Sequence, residues 1–189
     1  MKSIAIIAEF NPFHTGHAHL ISQVRQAAGP DAAIVIIMSG AFVQRGEPAF
    51  FDKWHRAVWA IKGGADVVIE LPAVYALSSA AGFATGGVTL ASRLSCQGLA
   101  CGVENGTAED FLALARCAHS LPDREKEGPK ETAGREQTEY LLAASPEKGR
   151  LLEQPNALLA FEYAKALLNQ DRPLAFWPFP RQGHHGDTE

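Results

Sequence analysis

Residues Ile4–Leu20 read IAIIAEFNPFHTGHAHL. The apolar run from Ile4 to Ala8 has the character of a buried strand. Glu9-Phe10-Asn11-Pro12-Phe13 is a tight polar turn around a proline. His14-Thr15-Gly16-His17 then opens a helical pattern carried by Ala18, Leu20, Ile21, Val24, Ala27 and Ala28, which Gly29-Pro30 stops. The unit is strand, loop, helix, with two histidines at the helix mouth. A helix N-terminus offers unpaired N–H groups and the positive end of the dipole, a seat for phosphate. A spacing of three sets His14 and His17 on one turn, where their imidazoles can donate to phosphate oxygens as charge builds during phosphoryl or nucleotidyl transfer. Gly16 lets the backbone come close to a ligand. The plainer reading is a surface turn with two solvated histidines; the strand before, the helix after and the glycine between favour the phosphate site.

Outward from this unit the pattern repeats. Ala32–Met38 is a second buried strand, followed by a long loop, Ser39-Gly40-Ala41-Phe42-Val43-Gln44-Arg45-Gly46-Glu47-Pro48. Arg45 lies in that loop, just past a strand end. Asp52 caps a helix whose apolar positions Trp54, Ala57, Val58 and Ile61 keep helical spacing and which Gly63-Gly64 closes. Lys53, Arg56 and Lys62 fall on its other faces, where a solvated role is the ordinary one. Asp66–Leu71 is a third buried strand, stopped by Pro72. Ser78–Leu94 is a helix in which Gly82, Gly86 and Gly87 allow close packing at some loss of intrinsic helicity. Leu99–Cys101 is a fourth, short strand. Gly102-Val103-Glu104-Asn105-Gly106 leads from it into a helix over Ala108–Ala118. Tyr140–Leu152 has helical character, interrupted at Ser145-Pro146. Asn156 serves as N-cap of ALLAFEYAKALLNQ, from which it could also reach a ligand, and Leu174–Phe176 is the last strand.

Repeated β-loop-α units predict an α/β fold: a Rossmann-like parallel sheet with helices on both faces. Ligands of such sheets sit beyond the carboxyl ends of the strands, near the point where strand order reverses. The loops HTGH, SGAFVQRG, ELP and GVE all belong to that edge. Residues 1–120 form the nucleotide-binding core. Leu121–Glu139, dense in charge, glycine and proline, is a flexible insertion. Residues 140–189 complete the core.

The chain has 189 residues, 47% of them hydrophobic, enough for one domain with a real core. No run is long enough to span a membrane and no signal peptide is visible. Cys96, Cys101 and Cys117 show no metal spacing and fit reduced thiols in the cytoplasm. A net charge of −4 does not advertise a nucleic-acid binder, nor does it exclude a local basic patch.

NPFHTGH resembles the HxGH signature of nucleotidyltransferases that share a Rossmann-like fold with class I aminoacyl-tRNA synthetases. The resemblance extends further. AEFNPFHTGH, MSGAFVQRGEPA, the DKW-RA helix, GADVVIELP followed by Tyr75-Ala76, GVE and PNALLAFEYAKAL occur in the order found in the bacterial tRNA(Met) cytidine acetate ligase family. That family uses ATP and acetate to form acetyl-adenylate, releases pyrophosphate, and passes the acetyl group to N4 of the wobble cytidine of elongator tRNA(Met). The resemblance implies an ATP-binding segment of Ile7, Ala8, Glu9, Phe10, Asn11, Pro12, Phe13, His14, Thr15, Gly16, His17, Ala18, His19 and Leu20. Within it His14 and His17 are the catalytic pair at the phosphates. It adds Gly102 against the adenine, Asn156, and Arg181 at the phosphates. Magnesium is expected to accompany the triphosphate. No residue is assigned to hold it, although Glu9 and Glu104 are near enough in the topology to be considered.

Three departures stand out. Ala41 replaces an asparagine and Val103 a serine of the family pattern, and Gly183-His184-His185-Gly186-Asp187 only loosely follows its glycine-and-histidine stretch. The family continues into a serine/threonine-and-arginine motif and a further region beyond the last residue here. A truncated chain that folds as the nucleotide core but acetylates tRNA weakly or not at all is therefore expected. Two competing readings are an adenylyltransferase acting on a small phosphorylated metabolite and a nucleotide-binding remnant without turnover.

Overall fold

The computed structural model describes residues 2–44, 46–120, 141 and 149–181. Five parallel strands form one sheet in the order β3-β2-β1-β4-β5. They are β1 (Ser3–Ala8), β2 (Ala33–Ser39), β3 (Val67–Leu71), β4 (Gly98–Val103) and β5 (Ala175–Pro180). The helices are α1 (Thr15–Ala28), α2 (Lys53–Lys62), the short α3 (Ala73–Ala76), α4 (Ala80–Arg93), α5 (Ala108–His119) and α6 (Pro155–Leu168). From β1 the chain steps outward to β2 and β3, then returns to place β4 on the other side of β1. Strand order therefore reverses between β1 and β4, and their carboxyl ends open the crevice in which such sheets hold ligands.

Alternation along the strands divides the core into two layers. Ile4, Ile6, Ile34, Ile36 and Met38 pack against Ile21 and Val24 of α1 and Ala60 of α2. Ala5, Ile7, Val35, Ile37, Leu99, Cys101 and Val103 face the other way, onto α4, α5 and α6. Helices thus cover both faces, as the pattern predicts. Small residues set the distance on the second side: a Cβ at Gly87 would lie 2.5 Å from Ile7 Cδ1, and one at Gly86 would run into the Tyr75 ring.

Three expectations need correction. β3 is an edge strand and not a buried one; Val67 is 42% exposed, because among the described residues no strand pairs with its outer side. In α2 the apolar stripe is turned outward: Trp54, Val58 and Ile61 are exposed, whereas Arg56 and Ala60 are buried. Asn156 is not the N-cap of α6. Gln154 holds that position and Pro155 opens the helix, so Asn156 lies in its first turn. Over 140–152, where helical character is expected, Leu141 and Gly149 are helical and Arg150–Glu153 form a 3-10 turn. The charged insertion, Arg45 and the stretch from Gln182 onward lie outside the described residues.

Candidate functional site

β1 delivers its loop to the switch point through an unusual backbone. Phe10 has φ +50°, a left-handed conformation that large side chains rarely adopt, and Asn11–Pro12 is a cis peptide. Phe10 is nonetheless buried, its ring meeting Phe13 edge-on at 5.0 Å and His17 at 4.7 Å between centroids. The turn is closed from the neighbouring loop. Glu9 Oε1 accepts from the Gln44 N–H at 2.6 Å, and Asn11 Oδ1 accepts from the Phe50 N–H at 2.7 Å.

Arg56 completes this closure. Its side chain is 0% exposed. Nη1 donates to the carbonyls of Glu9 at 2.5 Å and Ser39 at 3.1 Å, Nε donates to Phe51 at 2.9 Å, and Nη2 donates to the Gly40 carbonyl. One guanidinium therefore ties the carboxyl ends of β1 and β2 together. Burial pulls its pKa down from the usual arginine value, and the carboxylates of Glu9, Asp52 and Glu70 oppose that shift.

His14 is the N-cap of α1, and its Nδ1 accepts from the Gly16 N–H at 3.1 Å. His17 Nδ1 accepts from the His14 N–H at 3.2 Å. A ring nitrogen that accepts carries no proton, so in both neutral imidazoles the proton resides on Nε2. The rings stack at 3.6 Å with 26° between planes. Burial lowers the His17 pKa to about 3, helped by His14 and Arg181; burial and then Arg181 also lower that of His14. At neutral pH the pair offers two uncharged Nε2–H donors at the helix mouth, not two cations.

The third part of the site comes from β4, α6 and the end of β5. The Arg181 N–H donates to the Val103 carbonyl at 2.8 Å. Arg181 Nη1 donates to Asn156 Oδ1 at 3.0 Å, and Asn156 Nδ2 donates to Glu104 Oε1 at 2.5 Å. Glu104 also receives the first turn of α6, from the Asn156 N–H at 3.4 Å and the Ala157 N–H at 3.2 Å. A carboxylate thus does the capping that Gln154 does not. A Cβ at Gly102 would lie 3.1 Å from Arg181 Cγ, so the glycine makes room for the arginine stem.

The structure brings His14, His17, Gly102, Asn156 and Arg181 to one edge of the sheet. Ile7 and Ala8 end β1, and Glu9–Phe13 form its loop. Ala18, His19 and Leu20 lie within α1, half-buried; His19 Nε2 has no hydrogen-bond partner among the described residues. Neither carboxylate considered for a metal is free, since Glu9 is engaged by Gln44 and Glu104 by Asn156 and α6. Among the described residues no cluster of three histidine, cysteine, aspartate or glutamate side chains could hold a metal ion. Sequence reasoning missed the roles of two residues. Arg56 sat among ordinary surface charges of an amphipathic helix. Glu104 was a loop carboxylate with no local sign of its partners. Among the described residues no helix is long and apolar enough to cross a membrane.

Known proteins resemble this chain in sequence and in fold. The chain is 41% identical over 193 residues to the tRNA(Met) cytidine acetate ligase of Leuconostoc citreum, and 37% identical over 181 residues to that of Bacillus subtilis. Those alignments take in 100% and 92% of this chain but 47% and 43% of the relatives, so the chain spans about half their length. The crystal structure of Thermotoga maritima TmcAL bound with alpha-thio ATP matches 97% of this chain and 47% of its own, at TM-score 0.85 and 32% identity. Its apo form matches at 0.86 and 31%. The model of the HIGH nucleotidyl transferases matches residues 1–189. With its paired histidines at the mouth of the first helix, beside the switch point of a parallel sheet, the chain belongs to the HIGH nucleotidyl transferase family.

Proposed function

We propose that this chain binds ATP at the carboxyl ends of β1 and β4 and activates acetate as acetyl-adenylate, the first half of a tRNA(Met) cytidine acetate ligase reaction. One observation carries the reading. Two uncharged Nε2–H donors and one fixed guanidinium converge on the helix N-terminus at the switch point. Similarity over 97% of the chain to a protein with bound alpha-thio ATP supports the choice of nucleotide.

An acetate oxygen attacks the α-phosphorus, the bond to the β-phosphate oxygen breaks, and pyrophosphate leaves. The protein's share is positioning and charge stabilisation. The α1 N-terminus and the two imidazoles donate hydrogen bonds, and Arg181 supplies a permanent positive charge. In the second half, the N4 amine of the wobble cytidine of elongator tRNA(Met) attacks the acetyl carbonyl, AMP leaves, and the amine gives up a proton. The described residues do not fit a magnesium ion held by the protein, because Glu9 and Glu104 are already engaged. Magnesium is proposed to be held by the triphosphate, and no step here runs through it. We read residues 1–120 with 140–189 as one nucleotide-binding unit acting in the cytoplasm, with 121–139 inserted into it.

Acetate-dependent ATP–pyrophosphate exchange, without tRNA, is the test. Exchange is expected to require acetate and to be lost in His17→Ala. Exchange that proceeds equally without acetate, or survives unchanged in His17→Ala, would overturn the reading. Formation of N4-acetylcytidine on tRNA(Met) then tests the second half separately.

A further inference from the structure

We propose that Glu104 is a positioning residue of the nucleotide site, acting on Arg181 through Asn156. The inference rests on the ATP-binding reading above. A carboxylate only accepts hydrogen bonds and a guanidinium only donates them. Asn156 lies between the two, with Nδ2 2.5 Å from Glu104 Oε1 and Oδ1 3.0 Å from Arg181 Nη1. An amide can be turned either way by rotation, and in isolation nothing selects one orientation. Glu104 selects it, because the reversed amide would set oxygen against oxygen at Glu104 and N–H against N–H at Arg181.

Glu104 is itself fixed. Its Oε2 receives the Ala157 N–H at 3.2 Å in the first turn of α6, so it cannot swing away without exposing that helix end. Arg181 is held at its other end by the backbone bond from its N–H to Val103 and by the gap at Gly102. With Nη1 committed to Asn156, Nε and Nη2 have no partner among the described residues, and the guanidinium plane is set before the ligand arrives. Preorganisation of this kind raises affinity by removing the cost of ordering a long side chain on binding. The order Glu104, Asn156, Arg181 is thus a chain of determined donors and acceptors running from a helix terminus to the ligand.

Its polarity makes the role testable apart from the capping of α6. In Glu104→Gln one amide oxygen faces three donors, the N–H groups of Asn156 and Ala157 and Asn156 Nδ2. If that oxygen stays on Ala157, the NH2 group faces Asn156 and turns its amide over, away from Arg181. In Asn156→Asp two carboxylates meet. The double variant Glu104→Gln/Asn156→Asp restores the side-chain order, and only the long 3.4 Å contact from the residue-156 N–H is left without its acceptor. Gln Oε1 takes the Ala157 N–H, Gln Nε2 donates to the new carboxylate, and that carboxylate accepts from Arg181, with the total charge unchanged.

The dissociation constant of ATP, measured by calorimetry on the whole chain with melting temperature alongside, decides the matter. Each single variant is expected to bind ATP about tenfold more weakly, and the double variant to return to within about threefold of wild type. In an Arg181→Ala background, Glu104→Gln is expected to change affinity by less than about twofold. A double variant no better than its weaker parent, or an undiminished effect of Glu104→Gln without Arg181, would overturn the proposal. A wild-type chain that binds no ATP would remove the functional reading, and this inference with it; binding without rescue would remove this inference alone.

Discussion

Arg56 Nη1 donates to the carbonyl of Glu9, 47 residues earlier, at 2.5 Å. The same nitrogen reaches the carbonyl of Ser39. β1 and β2 are adjacent in the sheet, but their loops diverge, and in a parallel sheet no ladder partner remains beyond the strand ends for these carbonyls. Arg56 supplies the missing donors from the start of α2. The loop that carries His14 and His17 is thereby anchored to the scaffold at its first residue.

Removing that anchor leaves several buried carbonyls unpaired. Arg56→Met keeps much of the volume but none of the donors, and is expected to destabilise the fold by about 3 kcal/mol. For a chain of this size that corresponds to a fall of roughly 6–12 °C in melting temperature. Arg56→Lys keeps the charge without the planar fork and should recover only part of the loss. A fall of less than about 2 °C in Arg56→Met would mean that the carbonyls find other partners.

The same helix shows where the sequence misleads. Trp54, Val58 and Ile61 form a good amphipathic stripe, and hydrophobic spacing alone assigns that stripe to the core. The helix is rotated the other way because the guanidinium is satisfied only inside, among carbonyls that the sequence does not reveal. Trp54 is 72% exposed. Trp54→Gln is therefore expected to change unfolding free energy by less than about 0.5 kcal/mol, whereas a buried tryptophan would lose several. Denaturant titration of Trp54→Gln beside Arg56→Met checks the rotation of α2 directly, since the two residues should behave oppositely to their hydrophobicity.

His17 gives the fold a specific acid response. Its folded-state pKa is about 3, against an ordinary 6.5, chiefly because burial disfavours the charged ring. Between these values the unfolded chain binds the proton and the folded one does not. Stability from this residue is complete above about pH 6.5 and falls as the pH drops towards 3. At pH 5 the loss is about 2 kcal/mol. His17→Asn retains an acceptor for the His14 N–H but has nothing to protonate. Its stability should therefore fall less between pH 7 and pH 5 than that of the wild type, by about that amount. Parallel stability–pH curves for the two proteins would show that His17 is not held neutral by the fold.

Legibility of the site follows the distance in sequence over which its parts are set. The histidine pair, its strand and its helix are local and can be read from seventeen consecutive letters, Ile4 to Leu20. The five-strand parallel sheet follows from repetition of the same local unit. The tautomers do not, because they depend on N–H groups whose direction is fixed only once α1 is capped. Nor does the order Glu104, Asn156, Arg181, whose members are 52 and 25 residues apart and meet only because β4 and β5 pair. Asn156 looked like a helix cap for a sound local reason; the cap came instead from Glu104.

Gly102 tests whether that distant assembly matters for binding. The glycine has ordinary space on its own strand, and what a side chain would meet is the Arg181 stem, with Cγ 3.1 Å from the position of a Cβ. The obstacle is the flexible part of an exposed side chain, so the fold can yield by moving the arginine. Gly102→Val is accordingly expected to leave the melting temperature within about 3 °C of wild type. The guanidinium, however, can no longer keep both its bond to Asn156 and its place beside the histidines. Affinity for ATP is expected to fall about tenfold, as for Arg181→Ala, and the two substitutions together should cost little more than either alone. Calorimetric titration of ATP into the two single variants and the double variant measures this. Full additivity would show that Gly102 acts on the nucleotide by itself and not through Arg181.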